Sequence, residues 1–489
     1  MSSAVSHGPA PVPVVAGIDV ATAAVRVVCA DAAGRVLAEG RAPISLPERG
    51  AGGRSEQDAR SWWPATAAAL RQATTALPGG GREVVAVAVS ATSGTLVLAG
   101  PGGEPAGPAL MYDDRSAAAV NARAQELGAP RWRALGLTVG PTAALGKLVG
   151  YAARALPGQL VLHTPDLLGL KLTGHPVATD WSHALKTGYD ARAGEWADEV
   201  FDAFGVPSEL LPAVRAPGTQ TGTVSAQAAA ETGLPAGCQV RLGMTDGCTG
   251  QIATGAVDPG RFVGVLGTTY VLKGVTRELV TDPAGALYSH RHPDGWWLPG
   301  GASNTGGEAV ARFDPARLPG LDAAADAQGP STCVAYPLRR EGERFPFVSS
   351  QARGFRTGLP RDETDEYRAA LEGVAFLERL AVERVQALGV EVRGPLYAAG
   401  GGSRSAVWNR IRATVLDRPL NVAERAETAI GAALLAASGT LHPDLSAAVG
   451  AMVGAGRTVD PLERERAALD ASYGEFVTEL RSRGWLSPE

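Results

Sequence analysis

Val240-Arg241-Leu242-Gly243-Met244-Thr245-Asp246-Gly247 is a largely apolar run that ends on a carboxylate. Further on, Val265-Leu266-Gly267-Thr268-Thr269 ends on small, hydroxyl-bearing residues, and the chain's first ordered-looking stretch is Val14-Val15-Ala16-Gly17-Ile18-Asp19, followed by Thr22. Short apolar runs bounded by turn residues read as buried strands. A strand closing on an Asp, with small turns nearby, therefore occurs once in each half. The repetition predicts an α/β protein of two related domains with a cleft between them. One Asp per half, beside Gly/Thr turns able to hold phosphate, suggests phosphoryl transfer in that cleft.

The remaining pattern fits. Val25 to Asp31 and Arg35 to Ala42 continue as strands around the hairpin turn Asp31-Ala32-Ala33-Gly34. Residues 59–76 have helical spacing and stop at Pro78-Gly79-Gly80-Gly81. Strands are expected at 84–90 and 95–98, and helices at 116–127 and over most of 131–160. Residues 180–189 read as a polar-aromatic loop and 195–204 as a short helix. Residues 281–350, rich in Gly and Pro, read as irregular chain wrapping the cleft. A strong amphipathic helix spans 367–388. A strand at 395–399, the turn Gly400-Gly401-Gly402-Ser403 and helices at 406–416, 426–437 and 461–483 complete the chain.

At 489 residues two domains are the default, and 45% hydrophobic content is that of a globular protein. A net charge of -5 gives no electrostatic reason to expect nucleic acid or an anionic membrane. No apolar run is long enough to span a bilayer. Cys29, Cys238, Cys248 and Cys333 are scattered, which argues against disulfides or structural zinc and fits a cytoplasmic protein. Met1 to Pro13 has neither a basic nor a long apolar segment and reads as a frayed tail.

Asp19 at a strand end could hold Mg²⁺ through oxygen ligation, with Thr22 and its turn cradling phosphate oxygens. Gly267-Thr268-Thr269 is a second candidate phosphate turn. Gly400-Gly401-Gly402-Ser403 lies between a strand and a helix, where missing side chains let a ligand sit on the backbone. It is neither a Walker A loop nor a GxGxxG turn. Asp246 is the candidate base, because phosphoryl transfer to an alcohol needs a carboxylate aimed at the hydroxyl proton. Ordinary turns, a hairpin corner and a helix cap are the structural alternatives at these positions. Asp113-Asp114-Arg115 is a further polar cluster or a surface turn. His290 and His292 read as exposed loop residues, and the pairs Trp62-Trp63 and Trp296-Trp297 as packing anchors.

Taken in order, these motifs resemble the FGGY carbohydrate kinases of the actin-like, ribonuclease-H-like ATPase superfamily. The resemblance runs from about Val14 to Arg483. It is carried by Gly17-Ile18-Asp19 with Thr22 and Arg26, Glu56-Gln57-Asp58 with Trp62-Trp63, Thr179-Asp180-Trp181, and Asp246-Gly247. It continues through Gly267-Thr268-Thr269, Gly342-Glu343-Arg344 with Pro346, Gly400-Gly401-Gly402-Ser403, and Glu427 before Gly431-Ala432-Ala433. It implies a sugar-binding domain over 14–245 and an ATP-binding domain over 246–489. It also implies Asp246 as base, Asp19 as the Mg²⁺-linked carboxylate, phosphate contacts at Thr22 and Thr268, and Gly401 and Gly402 flanking adenosine. Ala21 departs from the Gly usual in the family.

The turn Ala91-Thr92-Ser93-Gly94-Thr95 lacks the Arg-Glu of glycerol kinases and the Met-His-Gly of typical xylulokinases. With Ala184-Leu185-Lys186-Thr187-Gly188-Tyr189-Asp190 it looks like the D-ribulose kinase branch. The resemblance thus implies phosphorylation of D-ribulose by ATP, with Thr92, Ser93 and Asp246 on the ketose and Met111 and Tyr112 at the floor. D-xylulose is the nearest alternative acceptor, ahead of L-ribulose. A non-catalytic sensor and an actin-like ATPase with a protein partner are readings of another class. A homodimer is left open.

Overall fold

The computed structural model describes residues 12–486, so the expectation of a frayed tail falls outside it but for Val12 and Pro13. Its frame is one strand plan used twice. In the first sheet the central strand Val14–Val20 lies antiparallel to Ala24–Asp31, which pairs antiparallel with Val36–Pro43. On its other side it runs parallel to Val84–Ala91, then Gln239–Arg241, and the antiparallel Gln220–Thr223 closes that edge. In the second sheet Phe262–Leu266 takes the central place. It is antiparallel to Tyr270–Gly274 and parallel to Leu396–Ala399. Leu420–Val422 and the antiparallel Arg457–Val459 follow on one side, Trp297–Ala302 on the other, with Tyr288–Arg291 outermost. Strand for strand, the second sheet repeats the first and adds one edge strand.

The strands form where the sequence places apolar, β-branched runs, and every residue of Val14–Val20 is buried. The helix Trp62–Ala76 packs on the first sheet so closely that a Cβ on Gly40 would lie 1.9 Å from the Ala69 carbonyl oxygen. The 25-residue helix Glu363–Ala387 carries the second core through Leu371, Val374, Phe376 and Leu377. A smaller sheet over 48–57, 96–99, 109–110 and 160–163 flanks the first.

The other face of the first sheet is covered from the second half of the chain. Val15, Val28, Ala86 and Ala88 share a core with Cys248 and Ile252 of the helix Asp246–Ala253 and with Ala433 and Leu434 of the helix Thr428–Ala437. These two helices fill the seam between the sheets.

Three expectations are corrected. Residues 281–350 are not irregular throughout: they include two strands of the second sheet and the helix Leu318–Gln328. Those strands are short, and Gly and Pro hide their alternation, so pairing makes them strands: Trp297–Ala302 on Tyr270–Gly274, and Tyr288–Arg291 on Trp297–Ala302. His290 and His292 are correspondingly 5% and 1% exposed rather than on an open loop. Residues 180–189 also gain structure, because Asp180 caps the short helix Trp181–Ala184 by accepting from the Ser182 and His183 amides.

Candidate active site

The carboxylates sit at the same end of neighbouring strands. Asp19 pairs in register with Ser90, and Ala91 bridges to Thr245, so Asp19, the Thr92–Ser93 turn and Asp246 follow the carboxyl ends of three adjacent strands. That edge is where open α/β sheets bind ligands. Two glycines permit the close packing. A Cβ on Gly17 would lie 2.0 Å from the Ala429 carbonyl oxygen, and one on Gly431 would lie 2.0 Å from that of Thr249. The helix Thr428–Ala437 is thereby seated on both the Asp19 strand and the Asp246 helix.

Asp19 is 3% exposed and accepts from Arg26 at 3.1 Å. Burial raises its pKa. The Thr428 hydroxyl and Arg26 favour its charge, while Asp246 is close enough to oppose it. Asp246 is half-buried in the first turn of its helix, where the N-terminal dipole favours an anion. Behind it, Ser182 Oγ accepts the Thr245 amide at 2.9 Å and donates to Asp180 Oδ1 at 2.5 Å. His183 Nδ1 lies 2.5 Å from Asp180 Oδ2. Burial disfavours the His183 charge, but Asp180 outweighs it and raises its pKa. The Thr179-Asp180 motif thus holds the residue before Asp246.

The Thr22 turn is also held from behind. Gln57 Nε2 donates to the Thr22 carbonyl at 2.9 Å, and its Oε1 accepts from the buried Trp62 indole at 2.8 Å. Trp62 is therefore the packing anchor read from the sequence, and Glu56-Gln57-Asp58 acts as a brace.

Thr92 Oγ1 pairs with Thr95 Oγ1 at 2.9 Å. Among the described residues, buried Ser93 Oγ has no hydrogen-bond partner. Met111 is 2% exposed, whereas Tyr112 is 42% exposed. Asp114 is fully buried and accepts the Ser55 amide at 2.7 Å, while Asp113 pairs with Arg49. Neither the surface-turn reading nor a direct role describes Asp114, which braces the Met111 segment.

In the second half, Gly267, Thr268, Gly401 and Gly402 line one cavity of about 770 Å³ with Val310, Leu318, Tyr367 and Trp408. Polar turns at one end and apolar walls at the other suit a nucleotide. Gly400 has φ +89°, and a Cβ there would lie 2.6 Å from the Leu266 carbonyl oxygen. A Cβ on Gly402 would strike the Leu266 side chain, whereas one on Gly401 meets nothing within 4 Å. Gly400 and Gly402 thus close the turn against the sheet, and Gly401 has open space on its Cβ side. The expectation for Ser403 needs revision. Its hydroxyl donates inward to the Ala399 carbonyl at 2.9 Å, so its side chain braces the turn rather than facing the cavity. Beneath it, Arg412 is fully buried on Glu378 at 2.5 and 2.7 Å.

Several residues had no role in the sequence reading, although Glu343 and Lys186 stood within its motifs. Gly306 and Gly307 fold onto the Gly267–Thr269 turn, with the Gly307 amide on the Gly267 carbonyl at 2.8 Å. Glu343 accepts from Ser303 Oγ, the Asn304 amide and Tyr336 at 2.6 to 2.8 Å, which fixes the loop leading into those glycines. Lys273 reaches to within 3.2 Å of where a Gly247 Cβ would be. A lone cation in the apolar strand Tyr270-Val271-Leu272-Lys273-Gly274 was the signal available for it. Lys186 lies against the Gly94 turn, 3.8 Å from the Cβ position there. Among the described residues no group of three or more His, Cys, Asp or Glu side chains could hold a metal alone, and no helix is long and apolar enough to cross a membrane.

Sequence models of the FGGY family of carbohydrate kinases match at residues 14–253 (N-terminal domain) and 262–440 (C-terminal domain). A xylulose kinase of Streptomyces rubiginosus is 32% identical over 478 residues, covering 94% of this chain and 95% of that protein. An erythritol kinase of Brucella abortus is 30% identical over 461 residues, covering 87% of each. A crystal structure described as a xyloylose kinase from Brucella ovis superposes with a TM-score of 0.85 at 26% identity, over 97% of this chain and all of that one. The doubled α/β plan is the actin-like ATPase fold, and the chain belongs to the FGGY family of carbohydrate kinases.

Proposed function

We propose that this carbohydrate kinase transfers the γ-phosphoryl group of ATP to a hydroxyl of a ketopentose, with D-ribulose the first acceptor to test. The observation that carries the reading is the convergence of Asp19, the Thr92–Ser93 turn and Asp246 at one strand edge, beside the Thr22 turn. The acceptor lies on the 14–245 half, at Thr92 and Ser93. The nucleotide lies on the 246–489 half, with Gly401 against adenosine and the Gly267–Thr269 turn on the phosphates. Asp246 accepts the proton of the attacking hydroxyl as the oxygen–phosphorus bond forms, and ADP departs. Lys273, above the Asp246–Gly247 turn, offsets charge on the transferred group.

Two carboxylates that repel each other, Asp19 and Asp246, with no third His, Cys, Asp or Glu grouped with them among the described residues, suit Mg²⁺, which keeps waters and shares its shell with substrate phosphates. Asp19 would hold it through oxygen, and when bound it supplies charge neutralisation at the phosphates.

D-Ribulose is favoured by the small hydroxyls at residues 92–93, including the unpartnered Ser93 Oγ, and by Lys186 beside them. D-Xylulose is the second reading, favoured by the Streptomyces relative. ADP release over a panel of pentuloses and polyols decides between them, and equal rates across the panel would refute the preference. Asp246→Asn is expected to lower kcat by about 10²- to 10⁴-fold while leaving ADP binding intact. Near-normal turnover would remove Asp246 from the role of base.

A further inference from the structure

Lys147 is a lysine at 1% exposure in the middle of the helix Ala144–Ala152. Burying an ammonium is costly unless its donors are satisfied. Its Nζ donates to two carbonyls, Gly94 at 2.9 Å and Met111 at 2.6 Å. No ion pair to a carboxylate within 4 Å is formed among the described residues. The two carbonyls belong to separate segments: one closes the Thr92–Gly94 turn, the other precedes Tyr112. One helical turn on, the Tyr151 hydroxyl lies 3.1 Å from the Leu96 carbonyl and 3.2 Å from that of Pro108, and accepts the Leu110 amide at 3.1 Å. One face of this helix therefore clamps both segments from beneath. Tyr151 grips the paired strands, and Lys147 grips the loops that leave them.

We infer that Lys147 is a positioning residue for the acceptor: by tying the Gly94 and Met111 carbonyls to one ammonium it sets the spacing and the charge of the floor on which the acceptor's hydroxyls are placed. The inference rests on the reading that the acceptor lies on the Thr92–Ser93 turn. It does not depend on which sugar that acceptor is. An apolar residue at 147 would leave the buried Gly94 carbonyl without its donor, while the Met111 carbonyl keeps the Asp114 amide at 3.0 Å, so the tie between the two segments is lost and the turn would spread. The nucleotide cavity is lined by other segments. The effect therefore falls on one substrate.

The test uses Lys147→Met and Lys147→Gln, with whichever acceptor of the panel turns over fastest. In Lys147→Met the KM for the acceptor rises about tenfold or more, the size expected for one unsatisfied buried polar group. The KM for ATP stays within about twofold. Lys147→Gln, which keeps one amide donor, recovers part of the loss. If the Met variant does not fold, the Gln variant carries the test, with ADP titration as the check of its nucleotide site. A second readout is pH. Burial pushes the Lys147 ammonium down to about 8, opposed by Asp114 and Asp113 and assisted by Lys186. Deprotonation removes the charge but leaves two N–H donors, so the wild-type acceptor KM rises above about pH 8 by less than the Met substitution raises it, and the Lys147→Met profile lacks that rise because its side chain does not titrate. An unchanged acceptor KM, or an equal rise in both KM values, overturns the inference. Failure of the D-ribulose reading has a different signature: another sugar heads the panel and the split between the two KM values persists.

Discussion

Gly17→Ala tests whether the seam between the sheets sets the catalytic register. The added methyl would lie 2.0 Å from the Ala429 carbonyl oxygen and 2.4 Å from the Ala433 nitrogen. Both are backbone atoms of one helix, so no side-chain rotation relieves the clash. Ordinary contact begins at 3.4 Å, and the helix Thr428–Ala437 must retreat by about 1 Å or more. Over-packing of this kind costs about 1–3 kcal/mol. The catalytic consequence is larger, because the displaced helix carries Thr428, whose hydroxyl holds Asp19, and Gly431, which seats the Asp246 helix. A misplacement of about 1 Å at reacting groups costs on the order of 100-fold in rate. Urea denaturation reads the stability change, coupled ADP release reads kcat, and ADP titration checks that the nucleotide cavity survives. A loss of about 1–3 kcal/mol with kcat near wild type would refute the link between seam and chemistry. Wild-type values of both would refute the contact itself.

Gly401→Ala is the counterpart: its methyl meets no protein atom within 4 Å, so the denaturation midpoint should stay near wild type while the KM for ATP rises severalfold. A loss of stability with unchanged ATP affinity would mean that Gly401 serves the turn and not the ligand. Glu372 gives a pH prediction. Burial raises its pKa to about 7 from 4.5, against the pull of Arg368, so the protonated form is the one folding prefers. Its stabilising contribution is full below about 4.5 and is lost as pH rises through about 7. Across pH 5 to 8, on the order of the span between those values, wild type should lose stability relative to Glu372→Gln, and parallel pH–stability curves would contradict this.

Much of the fold was legible because local patterns carry it. The runs at Val14, Val84 and Phe262 have the density of β-branched and apolar residues that buried strands require. The helices near 62–76 and 363–387 show their periods plainly. Glycine in Gly400-Gly401-Gly402 announced a backbone turn without saying which glycine faces a ligand. Gly400 and Gly402 press on Leu266, a strand far away in sequence, and only that contact separates them from Gly401. The same holds for Ser403, whose hydroxyl has an inward acceptor. His290 misled because an edge strand of four residues has no period to read, and its burial comes from tertiary pairing.

The sequence by itself determined the doubled α/β plan, the two strand-end carboxylates and the glycine turns, since these depend on composition and spacing within a few residues. The tertiary structure decided that helices from the second half roof the first sheet, that Asp19 and Asp246 share one edge, and that Lys147 joins the Gly94 and Met111 carbonyls. An apolar face specifies that it must be buried but not against what. A buried polar atom shows its partner only once chain segments distant in sequence are packed within hydrogen-bond reach.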